Sequence, residues 1–392
     1  MEYKITRKGL ILDLYAAFES AKCGKGRKTY VMFFEKHLKR NIESLADELL
    51  NHTYKPEPSS CFIVEHPKKR EVFAAQFRDR VVHHLYYNYT HTMFEHTFIH
   101  DTYSCIPQRG THYGIERLRK HIEKESRNWQ KDCYIMKIDI RGYFMHINRK
   151  KLLDISLASL DKMSKRHISK DGSLTFGDTI DMELVKWLTE TIIMLDPKTH
   201  CNIIGKRSDW VGLDRNKSLF FTKKGRGLPI GNLTSQLFSN VYMNVFDQYM
   251  KRVMKSRHYG RYVDDAYVVS CDKQWLTSLV PCIEKFLCEE LDLELHKGKL
   301  IIAKASQGVE FLGGFVKQYR TYVSNSSLDR TLRRLNEFKV TDKEKAWRCI
   351  NSFLGMMSHF DSFNIRANLF LNSEFLSVSS FNSDMTKFNK AI

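Results

Sequence analysis

RYVDDAYVVS, residues 261–270, sets two adjacent carboxylates inside an otherwise mostly apolar run. Tyr262 and Val263 lead in, Ala266 to Val269 lead out, and Asp264 and Asp265 stand between them. In a partly buried site two such charges repel by about 4 kcal/mol, so a cation is expected beside them. An Asp-Asp pair is also a common tip of a solvated hairpin, because Asp tolerates turn geometry. The apolar runs on both sides, and a third acid in a matching setting, argue for chemistry instead. That acid is Asp139, at the end of the strand-like run in CYIMKIDIRGYF, residues 133–144. Two strands that each deliver carboxylate where they stop, brought onto one sheet, would hold two divalent cations about 3.5–4 Å apart. Hard oxygen ligands in an incomplete cage favour Mg2+, with Mn2+ as a substitute. On this reading the cation is a metal rather than an Arg or Lys.

The 392 residues suffice for two or three subdomains. Basic residues number 63 against 45 acidic, a net charge of +18, so a polyanion is the first partner to consider. With 42% hydrophobic residues the chain can fold, and no run approaches the roughly 20 apolar residues of a spanning helix. The first residues lack a small-residue cleavage site, so no secretory signal is read. Nine cysteines lie singly, without a CxxC pair, which suits reduced thiols in a cytoplasm. IIGKRS is no phosphate-binding loop, because Arg207 occupies the Ser/Thr place and His200 stands five residues before Gly205, and His91, His96 and His100 lack the companions of a zinc site.

Residues 1–60 read as a basic helical extension. Leu10, Leu14, Ala17 and Phe18 recur at helical spacing, KCGKGRK breaks the pattern, and TYVMFFEKHLKRNIESLADELL reads as one further helix. CFIVEHPKKREVFAA (61–75) alternates as a hairpin with a basic tip, and in residues 77–98 Val81, Leu85, Tyr89 and Met93, at steps of four, mark one face of a long helix. Residues 150–225 mix helix with the basic loop IGKRSDWVGLDRNKSLFFTKKGRG. LTSQLFSNVYMNVFDQYMKRVM is a helix, and RHYGRYVDDAYVVS is strand–turn–strand. WLTSLVPCIEKFLCEELDLEL is a helix interrupted near Pro281, GVEFLGGFVKQYRTYV (308–323) is a hairpin, and 326–392 is helical until a Ser/Asn-rich tail. No fixed-period repeat is present.

In this order the segments resemble the motifs of reverse transcriptases. RYVDDAYVV is similar to their YxDD motif and KIDIRGYF to their first catalytic strand. FIHDTYSCIPQRGTHYGIERL resembles the motif that tracks the template, GLPIGNLTSQLFSN the nucleotide-pocket motif, LELHKGKLII the lysine-bearing segment, and GVEFLGGFV the primer-grip hairpin. The resemblance implies an α+β fold of the right-hand polymerase type: fingers at 61–135, an antiparallel-sheet palm at 136–323 with the 150–225 insertion, and a helical thumb and tail at 324–392. Ile230-Gly231, Asn-Leu-Thr, then Ser235-Gln236 replace the usual Gln-Gly and Ser-Pro pairs. That departure resembles the reverse transcriptases of diversity-generating retroelements, which copy a template-repeat RNA into cDNA with errors opposite adenine. Other prokaryotic reverse transcriptases (retron, group II-like or defence-associated), or a catalytically silent RNA-binding scaffold, are the alternatives.

By the resemblance, Asp139, Asp264 and Asp265, with the backbone of Ile140, hold two Mg2+ ions, and Lys299 protonates the leaving pyrophosphate. Lys69 and Arg70 hold the triphosphate, Phe144 gates the 2′-hydroxyl, and Ile230, Gly231 and Gln236 line the nucleotide pocket. Arg109, Gly110, Arg226, Gly313 and Gly314 lie along template and primer. The implied partners are template RNA, cDNA or primer, dNTPs and a small basic oligomeric accessory protein. The implied setting is the cytoplasm of a bacterium, the gene being bacterial or phage-borne, with no membrane.

Overall fold

The computed structural model describes residues 3–66, 68–336, 343–371 and 381–389. Along the chain run α1 (Arg7–Lys22), α2 (Thr29–Lys36), α3 (Leu38–Leu50), β1 (Ser59–Val64), β2 (Arg70–Ala74), α4 (Phe77–Glu95), α5 (Thr111–Glu125) and β3 (Tyr134–Ile138). Then come α6 (Tyr143–His146), α7 (Arg149–Ser164), α8 (Met182–Met194), β4 (Cys201–Ile203), α9 (Leu233–Gln248), β5 (His258–Tyr262), β6 (Asp265–Ser270) and α10 (Lys273–Leu291). The last are β7 (Ile301–Lys304), β8 (Val309–Phe311), β9 (Gly314–Lys317), β10 (Arg320–Val323), α11 (Asn325–Asn336), α12 (Lys343–Met357) and α13 (Phe363–Leu371). Residues 337–342 and much of the Ser/Asn-rich tail lie outside the described residues. No helix among the described residues is long and apolar enough to cross a membrane.

The chain forms two compact units, each gathered from separated stretches. The first holds Met1–Cys105, Asp139–Lys255 and Pro281–His296; the second holds Ile106–Ile138, Ser256–Val280 and Lys297–Ile392.

In the first unit the apolar spacing of α1 does what it predicts, and Leu10, Leu14, Ala17 and Phe18 are buried. Thr6 caps this helix by accepting a bond from the Gly9 amide at 3.1 Å. Phe18, Phe34 and Phe77 join α1, α2 and α4 in one aromatic cluster, with ring centroids 5.3–6.0 Å apart. The single helix expected over residues 29–50 is two, because the chain turns at His37 (φ −120°). The Asn41 amide donates at 2.9 Å to the Phe34 carbonyl next to that break. A three-stranded sheet runs β2-β1-β4, antiparallel between β1 and β2 and parallel between β1 and β4. β4 lies inside the stretch read as helix and basic loop, where its three residues carry no periodic signal.

The second unit is built on a four-stranded antiparallel sheet, β5-β6-β3-β7, against which α5 packs. β6 is buried at every residue but its first, which is why it reads as a continuous apolar run rather than an alternating one, and β3 buries Ile135, Met136 and Ile138. The expected hairpin at 308–323 is a three-stranded meander, β10-β9-β8. Its second turn passes through Tyr319 at φ 64°, a conformation that tyrosine residues rarely signal in sequence. The break expected near Pro281 is absent: α10 runs through it. A proline removes one backbone donor, and the buried stripe of Leu276, Leu279, Ile283 and Leu287 continues on both sides of it.

Candidate active site

β5 pairs with β6 so that Tyr262 stands opposite Asp265, which leaves Val263 and Asp264 alone to make the turn. A two-residue hairpin loop needs positive φ at a central position, and Val263 supplies it at 56°. For a β-branched residue that conformation costs on the order of 1–3 kcal/mol. Arg261, fully buried at 0% exposure, donates from Nη1 to the Val263 carbonyl at 2.9 Å. An arginine is therefore built into this hairpin, bound to its backbone. Its signal was the first letter of the quoted stretch, a cation opening a buried strand.

On its other side β6 pairs with β3, with Ile138 opposite Ala266. Asp265 is the residue before Ala266 and Asp139 the residue after Ile138, so both acid positions adjoin the last rung of one ladder. Asp139, Asp264 and Asp265 are each half-buried. The Asp139 carbonyl accepts from the His296 amide at 2.8 Å, and the Arg141 amide donates to Glu294 at 2.9 Å. Ile140, buried between them, bridges to Leu295. Among the described residues no three His, Cys, Asp or Glu side chains form a metal-holding group by themselves.

Phe144 and Ile230 meet in the first unit. Both are half-buried and pack against a cluster of Cys61, Phe73, Met145 and Leu219. The Phe73 amide donates to the Ile230 carbonyl at 3.0 Å, and the Leu228 amide to the Phe144 carbonyl at 2.8 Å. Gly231 sits at φ 119°, and a Cβ there would stand 2.8 Å from Val72 Cγ1, so this position requires glycine. Gln236 accepts from the Cys105 thiol at 3.3 Å. Burial, and next the Glu71 carboxylate, push the Cys61 thiol up to about 12, which makes it a packing group.

Other expected ligand-facing residues have structural employment. Lys69 donates to the Val211 carbonyl at 2.8 Å and lies 3.6 Å from Glu65, whereas Arg70 is exposed at the start of β2. Arg226, expected along the template or primer, is committed to the protein. It bonds the Asp292 carbonyl at 3.0 Å and the His146 carbonyl at 3.3 Å, and pairs with the Asp292 carboxylate at 3.3 Å. Gly313 and Gly314 also have reasons within the fold. Gly313 has φ 87°, and a Cβ on Gly314 would meet Ile115 at 2.9 Å and Phe360 at 3.0 Å. Gly110 differs, since a Cβ there meets nothing within 4 Å among the described residues. The adjacent Arg109 is half-buried just before α5, and Lys299 is exposed on a short 3-10 turn ahead of β7.

Sequence reasoning missed Glu71. It is 1% exposed, and its carboxylate accepts from Trp210 Nε1 at 2.7 Å, Ser218 Oγ at 2.7 Å and the Leu219 amide at 2.6 Å. A lone acid in REVFA gives no sign of partners about 140 residues away.

A family model described as reverse transcriptase (RNA-dependent DNA polymerase) matches residues 66–315. The chain belongs to the reverse transcriptase family. The match includes β3, β5 and β6 and so all three aspartates. The α+β, right-hand polymerase class expected from the sequence stands with that membership. Among curated proteins, YkfC of Escherichia coli K12 is 24% identical over 217 residues, 53% of this chain and 45% of that protein. The chain thus spans less than half the length of this relative. Among solved structures, a Candida albicans telomerase in complex with a fragment of telomeric RNA aligns at TM-score 0.45 and 10% identity, over 80% of this chain and 55% of that one. Apo telomerase from Candida tropicalis aligns at TM-score 0.47 and 12% identity, over 80% and 56%.

Proposed function

We propose that this reverse transcriptase copies an RNA template into DNA, with Asp139 and Asp264 as the principal metal-holding carboxylates and Asp265 beside them. The observation that supports the reading is the register of β3 against β6: Asp139 follows the last paired residue of β3 and Asp265 precedes its partner in β6, within the segment matched by the family. The donor chemistry fits magnesium. Carboxylates are hard oxygen ligands, and a Mg2+ site of this class takes one or two of them plus substrate phosphates rather than a complete protein cage. Bound there, a pair of such ions would neutralise triphosphate charge and favour the ionised primer hydroxyl.

The chain's own residues then bind and orient. The primer 3′-hydroxyl attacks the α-phosphate of a dNTP, the P–O bond to pyrophosphate breaks, and Lys299 gives the leaving group its proton. Arg70 offers a two-donor fork to the triphosphate. Phe144 and Ile230, held on one apolar cluster, form the sugar and base side of the pocket. Arg109 and Gly110 follow the template.

The more specific part of the reading is mutagenic copying of a template repeat for diversification of a target gene, with a basic accessory protein. Its support is IGNLTSQ, in which Ile230 brings no polar group to the position where relatives have Gln. A missing contact of about 0.5–1.5 kcal/mol is enough to relax the choice between pairs that differ little. Primer extension on a defined RNA with Mg2+, followed by sequencing of the cDNA, tests both levels. Extension abolished by Asp264→Ala is the expected result, with errors gathered opposite template adenine. A chain that binds RNA but extends nothing is a scaffold, and evenly spread errors remove the diversification role.

A further inference from the structure

In the basic loop between β4 and α9, residues 204–226, Leu219 supports the pocket cluster, but the loop's exposed basic side chains take no part in the chemistry above. It carries seven basic residues against two acidic ones. Both acids serve the loop's own backbone: Asp209 accepts from the Lys206 amide at 2.8 Å and Asp214 from the Asn216 amide at 3.0 Å. Arg226 pairs inward with Asp292. Lys206, Arg207, Lys217, Lys223 and Lys224 are all exposed, and none has an ion-pair partner among the described residues. Such a set repels itself, and a polyanion relieves that repulsion.

Two further features narrow the polyanion. Phe221 is 62% exposed, and the Arg215 guanidinium lies 5.2 Å from its ring centroid, so a flat apolar face and a planar cation are offered together. That pairing suits a base stacking while its phosphate is neutralised. The loop is also ordered in advance. The Glu71 carboxylate fixes Trp210, Ser218 and Leu219, Lys69 holds Val211, and Lys198 Nζ donates to the Thr222 carbonyl at 3.0 Å. A merely solvated basic face needs neither the exposed ring nor such anchoring.

We propose that the exposed cations of the 204–226 loop, with Phe221, form a binding platform for single-stranded RNA additional to the primer–template duplex, where phosphates meet Lys206, Arg207 and Lys217 and a base stacks on Phe221. An acidic protein would use the same charges but would gain nothing from the stacking face.

The test uses the full chain with its copying site filled by an unlabelled primer–template duplex. A labelled single-stranded RNA of about 12 nucleotides is titrated by fluorescence anisotropy between about 50 and about 200 mM salt. The triple variant Lys206→Glu, Arg207→Glu, Lys217→Glu should flatten the log–log salt slope by roughly two, since each lost phosphate contact on a single strand contributes about 0.7. Phe221→Ala should weaken binding roughly tenfold with the slope unchanged. Both variants should extend a short annealed primer at the parental rate, which also shows that they are folded. Parental affinity and slope in both variants overturns the platform. So does a loss in the triple variant shared equally by polyglutamate, with Phe221→Ala silent, because the surface is then a general acidic-partner face. A parental enzyme that extends no primer would sink the proposed function while leaving this titration readable.

Discussion

At the scale of single residues, the decisive contrasts are between side chains that the fold consumes and those it leaves to face a ligand. Gly231 is required by Val72, Gly314 by Ile115 and Phe360, and Arg226 by Asp292, so none of them needs a substrate to explain it. Ile230 is different. Its carbonyl is taken by the Phe73 amide and its side chain rests on the edge of an apolar cluster, half-buried. A glutamine at 230 could keep the backbone bond and extend its amide towards a base pair. Ile230→Gln should therefore lower misincorporation opposite template adenine by a few-fold to about tenfold, the equivalent of one polar contact. Sequencing cDNA from parental and variant enzymes on one template checks this, and an unchanged error spectrum contradicts it. The strained Val263 is legible only in coordinates, because the sequence places a β-branched residue where a hairpin would favour Gly or Asn.

At the scale of elements, β1, β2, the long α4 and the pair β5–β6 follow from alternation, helical spacing and turn residues. The discrepancies share a cause. The break at His37, the short parallel β4, the third strand of the meander and the unbroken α10 all depend on partners distant in sequence. No propensity of the local residues encodes them. Glu71 shows the same dependence energetically. Its carboxylate gathers three donors from the 204–226 loop, and removing it strands those donors in a buried setting. Glu71→Ala should destabilise the chain by about 3 kcal/mol. It should also speed trypsin cleavage at Lys206 and Arg207, while Glu71→Gln should give an intermediate effect. Thermal unfolding followed by limited proteolysis measures both, and a cleavage rate equal to the parent would show that the loop is held otherwise.

At the scale of the whole molecule, stability against pH is set in part by two buried groups on α4 that titrate in opposite senses. Burial raises the Asp79 carboxyl to about 6, partly offset by donors from Tyr54 and the Glu57 amide. The unfolded chain ionises near 3.9, so this group removes stability as pH rises from about 4 to about 6, by about 3 kcal/mol in all. Burial holds His83 neutral down to about 4. The unfolded chain protonates near 6.5, so His83 removes stability as pH falls from about 6.5 to about 4. The two slopes oppose each other in the parent. Asp79→Asn should leave stability rising with pH across that window, and His83→Phe should leave it falling. Urea midpoints from pH 4 to 6.5, a range set by those reference values, distinguish them, and parallel curves for both variants contradict the assignment.

The sequence by itself determined the family, the α+β class and much of the order of elements, and it singled out the three aspartates as candidates. Those are properties of motif order and of apolar runs that end in acid, and each is written in consecutive residues. Only the tertiary structure decided that Ile138 faces Ala266, that Arg261 lies buried beneath the turn, and that Glu71 anchors a loop far along the chain. It also separated the glycines and arginine that packing requires from the exposed loop cations that have no ion-pair partner among the described residues. The physical reason is that burial and hydrogen-bond pairing are made between segments, so the same Arg or Gly reads alike in sequence whether its partner is the fold or a ligand.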